Sequence, residues 1–150
     1  MDMKYSKTAL SLVEKFEGCE LTAYQDQGGV WTIGFGHTQN VYPGMHITLD
    51  EAEEYAKSDL ECAEIFVNRL VKVDLSQDEF DALVDFVFNL GPVAFQTSTM
   101  LQLINEKQFH AAADQFQRWD HCGGKVVAGL LNRRKMEAAL FDETGNLQSA

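Results

Sequence analysis

The 150-residue chain has two prolines and three cysteines, and no apolar run reaches the ~18 residues of a membrane span. With 45% hydrophobic residues and so little proline, it is neither a disordered nor a collagen-like chain. Cys19, Cys62 and Cys122 are odd in number, widely spaced and outside any CxxC pair. They read as reduced thiols rather than a disulfide framework or a metal site. The start, Met1-Asp2-Met3-Lys4-Tyr5-Ser6-Lys7, lacks the uninterrupted apolar region of a secretory signal. Basic residues are scarce as well: 12 Lys and Arg stand against 23 Asp and Glu, a net charge of −11. That balance argues against a nucleic-acid partner and against attachment to anionic membranes, and no stable membrane insertion is expected. A chain this long buries roughly 68–70% of its unfolded surface, enough for one domain without a metal or disulfide staple.

What is present is mostly helical in period, with one β segment near the front. Ala9, Leu10, Leu12, Val13 and Phe16 predict a short amphipathic helix ending near Gly18. Leu21–Tyr24 and Val30–Phe35 predict two strands around the polar turn Gln25-Asp26-Gln27-Gly28-Gly29. Thr48-Leu49-Asp50-Glu51 and Ser76-Gln77-Asp78-Glu79 are capping-box patterns. They open a long helix over about 49–70 and a second one stopped by Gly91-Pro92. Further helices are predicted over 98–105, 108–119 and 127–141, with a break at Gly123-Gly124 and a frayed tail over 143–150. The expected fold class is α+β and mostly α. A small N-terminal lobe (about 1–60) carries a β-hairpin or short three-stranded sheet, a long helix connects, and an all-helical lobe (about 74–142) follows, within one domain. A cleft between the lobes is the natural site for a ligand.

Glu17 closes the first helix and Asp26 sits in the polar turn, so one groove can hold both. Hydrolysis of a glycosidic bond needs such a pair, one carboxyl donating a proton to the leaving oxygen and the other activating water or stabilising positive charge. Among 23 acidic residues, spacing alone favours two solvated surface carboxylates.

The longer string settles more. Glu17, eight residues, Asp26, five residues, Thr32, then Ile33-Gly34-Phe35-Gly36-His37 resembles the signature of the phage-type lysozymes, the endolysin or muramidase family (glycoside hydrolase family 24), in its lambdoid branch. Phe86-Val87-Phe88-Asn89-Leu90-Gly91 and Leu130-Leu131-Asn132-Arg133-Arg134 are similar to later segments of that family, so about Leu10 to Phe141 can be placed. The resemblance implies a lysozyme-like fold and Glu17 as general acid. It implies that Asp26 orients or deprotonates the attacking water, with a two-step mechanism in which Asp26 is the nucleophile left open, and that Thr32 holds that water or hydrogen-bonds Asp26. It implies further that Asn89 and Arg133 contact the sugar chain and that Arg133 faces Glu17. Tyr24 and Trp31, with Tyr42, are candidates for stacking on sugar faces. His37, Gly34 and Gly36 read as structural, the histidine tying the strand end through a carboxylate or carbonyl and the glycines meeting backbone requirements. A solvated arginine pairing with Glu137 is the competing reading for Arg134 and, less so, Arg133. Neither His110 with Asp114 nor His121 with Cys122 completes a metal-ligand set, and no cofactor or metal is expected.

The resemblance implies a monomer acting on peptidoglycan glycan strands, held in the host bacterial cytoplasm until holin-dependent membrane opening and then reaching the periplasm and cell wall. Competing readings are a lytic transglycosylase, a non-catalytic peptidoglycan-binding or inhibitory protein on the same scaffold, and an acidic DNA mimic. The acidity is uneven. Residues 1–49 carry three bases and five acids (−2), residues 50–85 three and twelve (−9), and residues 86–150 six and six (0). Residues 118–135 hold five bases against one acid, a strip that can flank a cleft while the acidic helix faces solvent. Activity on an anionic wall should therefore rise with moderate salt before it falls. A rate that declines steadily from very low salt upward would show instead that the basic strip governs association.

Overall fold

The computed structural model describes the backbone of residues 2–122 and 125–149 and the side chains of 2–121 and 125–142. Gly123 and Gly124, where the sequence predicts a break, lie outside the described residues, as do the side chains of the expected tail from 143 onward.

Helix α1 (Lys7–Glu17) starts where the Ser6 side chain accepts from the Thr8 N–H, and it buries Ala9, Leu12 and Val13. It ends because Gly18 takes φ 63°, a left-handed turn open to glycine. Glu17 is thereby left on the last turn, facing the hairpin. Strands β1 (Glu20–Gln25) and β2 (Trp31–Gly34) pair antiparallel, with Tyr24 opposite Thr32 and an irregularity between Glu20 and Tyr24. Residues opposite one another share a face, so Tyr24 and Thr32 stand together. The other edge of β1 is covered by residues 45–47: Ala23 donates to the Met45 carbonyl and Ile47 to the Leu21 carbonyl, both at 2.9 Å. The sheet is two-stranded with a third rung-like segment. Strand β2 stops one residue before the predicted Phe35, because Gly34 sits at φ 65° and Ile33 pairs with His37 across a tight turn.

Helices α2 (Leu49–Leu70) and α3 (Gln77–Leu90) both open with complete capping boxes, Thr48 with Glu51 and Ser76 with Glu79. Helix α3 is the centre of the molecule, packed against α1, α2 and the C-terminal helix. Its Phe86 meets Phe95, Phe116 and Trp119 edge-on at ring separations of 5.7–6.1 Å. The chain then adds the short α4 (Pro92–Gln96), unforeseen in the sequence, in which Pro92 occupies a first-turn position needing no N–H. Helix α5 (Thr99–Asn105) follows as expected. The single helix predicted over 108–119 is instead α6 (Phe109–Ala113) and a 3-10 turn over Phe116–Trp119. Gln115 donates to Ala112 and Arg118 to Gln115, i→i+3 bonds that tighten the chain while Phe116 enters the core. A two-residue strand pair, β3 (His121–Cys122) with β4 (Lys125–Val126), precedes the last helix, α7 (Ala128–Ser149).

Residues 3–6 clamp α1 in place. The Met3 N–H donates to Asn68 Oδ1 and the Asn68 amide to the Met3 carbonyl, each at 2.9 Å. Tyr5 N–H donates to Glu64 and Ser6 N–H to Asp81 at 2.8 and 2.9 Å, with the Ser6 hydroxyl on the other Asp81 oxygen. Asp81 is fully buried on α3, so it fixes the start of the helix whose end carries Glu17. Asp81→Ala should cost on the order of 2 kcal/mol, because it strands the Ser6 donors in the interior. Denaturant unfolding measures it, and a loss under about 0.5 kcal/mol would show that the clamp contributes little.

Candidate active site

The hairpin turn places Asp26 by backbone chemistry. Its Oδ1 accepts the N–H groups of Gly28 and Val30 at 2.8 and 2.9 Å, while its own N–H donates to the Val30 carbonyl at 2.9 Å. With Oδ1 so held, Oδ2 has no protein donor among the described residues and Asp26 is exposed. Thr32, which is buried, does not hydrogen-bond Asp26. Its hydroxyl donates at 2.9 Å to the Val30 carbonyl, the acceptor that also takes the Asp26 N–H, so it ties down the same turn from one step away. With its proton committed, Thr32 has only lone pairs to offer.

Glu17 is held from two sides. Arg133 Nη1 donates to Oε2 at 2.5 Å. A Cβ built on Gly36 would lie 2.8 Å from the Glu17 carboxyl carbon, so the carboxyl lies against bare glycine backbone, which at φ 75° also suits no larger residue. Gly34 has a different neighbour, since a Cβ there would lie 3.2 Å from that of Ala52 on α2. His37 points to the same helix: its Nδ1 is 2.7 Å from Asp59 Oδ2 and its ring stacks on Tyr55 at 4.2 Å.

The Tyr24 phenol is pushed up, first by burial and then by the charges of Glu17, Glu20 and Asp26. Trp31, half-buried, pairs with Gln25 at the end of the hairpin, while Tyr42 is exposed. A groove of about 270 Å³ is lined by Gly36, Thr38 and Gln39, by Asp59, Cys62 and Phe66 of α2, and by Phe88 and Gly91; Gly36, against the Glu17 carboxyl, and Phe88, near Arg133, border both the groove and the ion pair. Asn89, next to Phe88 on α3, has a buried Oδ1 without a hydrogen-bond partner. Cys19 is exposed, and partial burial followed by Glu20 and Glu53 pushes its thiol up, which disfavours a reactive thiolate.

Behind Glu17, Arg133 faces it as expected, and a second carboxyl that the sequence does not single out stands behind Arg133. Arg133 is 3% exposed, and Asp85 on α3 grips it with both oxygens, from Nε at 2.9 Å and Nη2 at 2.7 Å. Phe16 and Phe88 lie 5.6 and 6.0 Å from the guanidinium. Arg134 is fully buried too, which overturns the solvated-arginine reading. It pairs with Glu137 one turn on, Nε to Oε1 at 2.6 Å and Nη2 to Oε2 at 2.8 Å, and lies over the Phe86 ring at 5.1 Å. Burial opposes the charge on Asp85, yet hydrogen bonds from Glu137 and Arg133 and the two guanidinium charges hold its carboxyl below the usual range. Glu137 goes the other way, raised well above the usual range by complete burial and by its hydrogen bond and charge repulsion with Asp85. The signal that could have found Asp85 is in the sequence: Asp81 and Asp85 stand four apart inside an apolar helix.

The phage lysozyme family model matches residues 14–137. The endolysin of Acyrthosiphon pisum secondary endosymbiont phage 1 is 38% identical over 144 residues, covering 93% of this chain and 99% of its own. The endolysin of Salmonella phage P22 is 41% identical over 144 residues, covering 93% and 98%. Among solved structures, the endolysin from Escherichia coli O157:H7 phage FAHEc1 superposes with a TM-score of 0.84 at 38% identity, covering 95% of each chain.

Glu137 makes stability depend on pH. Below about pH 4 the carboxyl carries its proton in both the folded and unfolded chain. As pH rises, the unfolded chain releases that proton while the folded one keeps it, so stability is lost toward the raised folded-state value. Glu137→Gln lacks this loss. Its melting temperature relative to wild type should climb between pH 4 and 7, and a difference that stays constant over that range would show that Glu137 titrates normally.

Proposed function

The chain belongs to the phage lysozyme family, and from that membership we propose that it is an endolysin that hydrolyses peptidoglycan, cutting the β-1,4 bond between N-acetylmuramic acid and N-acetylglucosamine. The observation that carries the reading is that two carboxyls are held in different ways, Glu17 at the end of α1 against Arg133 and Gly36, and Asp26 in the hairpin turn against two backbone N–H groups.

Glu17 is the general acid. Because Arg133 donates to Oε2, the proton that Glu17 delivers to the leaving oxygen sits on Oε1, the oxygen over Gly36. Asp26 and Thr32 act on water. A water that donates one hydrogen to Asp26 Oδ2 and the other to the lone pairs of Thr32 Oγ1 turns its own lone pair toward the anomeric carbon. Asp26 then takes the proton as the bond forms. This is inverting chemistry, which requires carboxyls roughly 6.5–9.5 Å apart. Asn89 supports substrate binding, its unpartnered buried acceptor suiting an N–H of the acetamido groups that line such a glycan. Trp31 and Tyr24 offer ring faces for sugar stacking.

No helix among the described residues is long and apolar enough to cross a membrane. The proposal includes a monomer that reaches the wall after a holin opens the host cytoplasmic membrane.

Turbidity clearing of outer-membrane-permeabilised Gram-negative cells tests the enzyme reading. Glu17→Gln should lose more than a hundredfold in rate and Asp26→Asn a comparable factor. Glu17→Gln clearing as fast as wild type would sink it. Mass spectrometry of the released muropeptides should give reducing ends, and dominant anhydro ends would mean a transglycosylase.

A further inference from the structure

Arg133 commits two of its three guanidinium nitrogens to a carboxyl that lies away from the groove. Asp85, fully buried on α3, takes Nε and Nη2, and only Nη1 is left for Glu17. A planar guanidinium gripped along one edge has the direction of its remaining N–H fixed, and Phe16 and Phe88 flank it. We propose that Asp85 is a positioning residue for the proton transfer: it aims Arg133 at Oε2 of Glu17 and neutralises the charge that Glu17 would otherwise face alone.

The need for such a residue follows from the chemistry. A guanidinium at hydrogen-bond distance stabilises the ionised form of a carboxyl and so strips a general acid of its proton. Arg133 orients Glu17 but, uncompensated, it would oppose the role proposed above, on which this inference rests. Asp85 removes the conflict by presenting Glu17 with an ion pair in place of a lone cation. The groups facing Glu17 are Arg133 from α7, Asp85 behind it from α3 and the Tyr24 phenol from β1, with Glu20 and Asp26 in range of that phenol. Those facing Asp85 are Arg133, Arg134 and Glu137, all from α7. The hydrogen bonds and charges of that set favour an ionised Asp85, as neutralisation requires.

The test is a carbon-13 NMR titration of the Glu17 carboxyl in the folded full chain, alongside the pH profile of clearing. Asp85→Asn exposes Glu17 to an unpaired guanidinium, so the Glu17 midpoint and the alkaline limb of the clearing rate should both move down by about one pH unit, a roughly tenfold loss of proton affinity. Asp85→Asn with an unmoved midpoint overturns the proposal. Because that variant leaves a buried cation and can fail to fold, the double variant D85N/R133Q, which removes both charges together, gives a second test. Compared with R133Q alone, which lacks the same Nη1 hydrogen bond to Glu17, its midpoint should lie about one unit lower, since the unpaired Asp85 charge has gone as well. A midpoint equal to that of R133Q would mean that Glu17 does not feel Asp85, and the proposal would fail. An active Glu17→Gln would overturn the general-acid reading instead, a separate result, because the titration reads the proton without turnover.

Discussion

A guanidinium withdrawn from water is the constraint on which the site depends. Arg133 is almost wholly buried, and an ion in that position must be met by opposite charge with good geometry or the fold loses several kcal/mol. Meeting it draws three elements together: α7 supplies the arginine, α3 the gripping carboxyl of Asp85, and the last turn of α1 the carboxyl of Glu17. The same requirement that stabilises the junction therefore fixes the position of the Glu17 carboxyl. The glycine at 36 completes the placement from the other side by allowing backbone to lie where a side chain would displace Glu17.

The second arginine shows how the interior balances its charges. Arg134 and Glu137 share a face of α7 with no exposure to water, and Glu137 also meets Asp85. Burial and the neighbouring Asp85 push Glu137 toward keeping its proton, while hydrogen bonds and the two guanidinium charges keep Asp85 ionised for Arg133.

Much of this was legible in the residues. The Glu17, Asp26 and Thr32 spacing and the run from Ile33 to His37 are local, and their positions follow from a helix end, an Asx-type turn and a strand. Both capping boxes and the long helix over 49–70 are also set within a few residues, so they could be read directly. What could not be read depends on contacts across the chain. The Thr32 hydroxyl goes to Val30 and not to Asp26, a choice made by hairpin geometry. The split of 108–119 into a helix and a 3-10 turn is imposed by Phe116 packing against Phe86 and Phe141, partners 30 and 25 positions away. Asp85 looked like one acidic residue among 23, and only its placement opposite Arg133, 48 positions later, gives it a role.

That placement changes the meaning of the net charge of −11. The acidic excess lies between residues 50 and 85, a stretch that reads as a solvated face turned away from an anionic substrate. Several of those carboxyls are engaged by other groups, at the surface or inside. Glu51 and Glu79 close helix caps, Glu64 and Asp81 hold the strap before α1, Asp59 holds His37, and Asp85 holds Arg133. Counting acids overstates the field that a glycan strand meets, because Asp85, paired with a buried cation, projects little charge outward. Glu64 and Asp81 fix α1 at its start and Asp85, through Arg133, at its end. A surface charge count would assign those three residues to a partner, whereas their hydrogen bonds assign them to the positioning of Glu17.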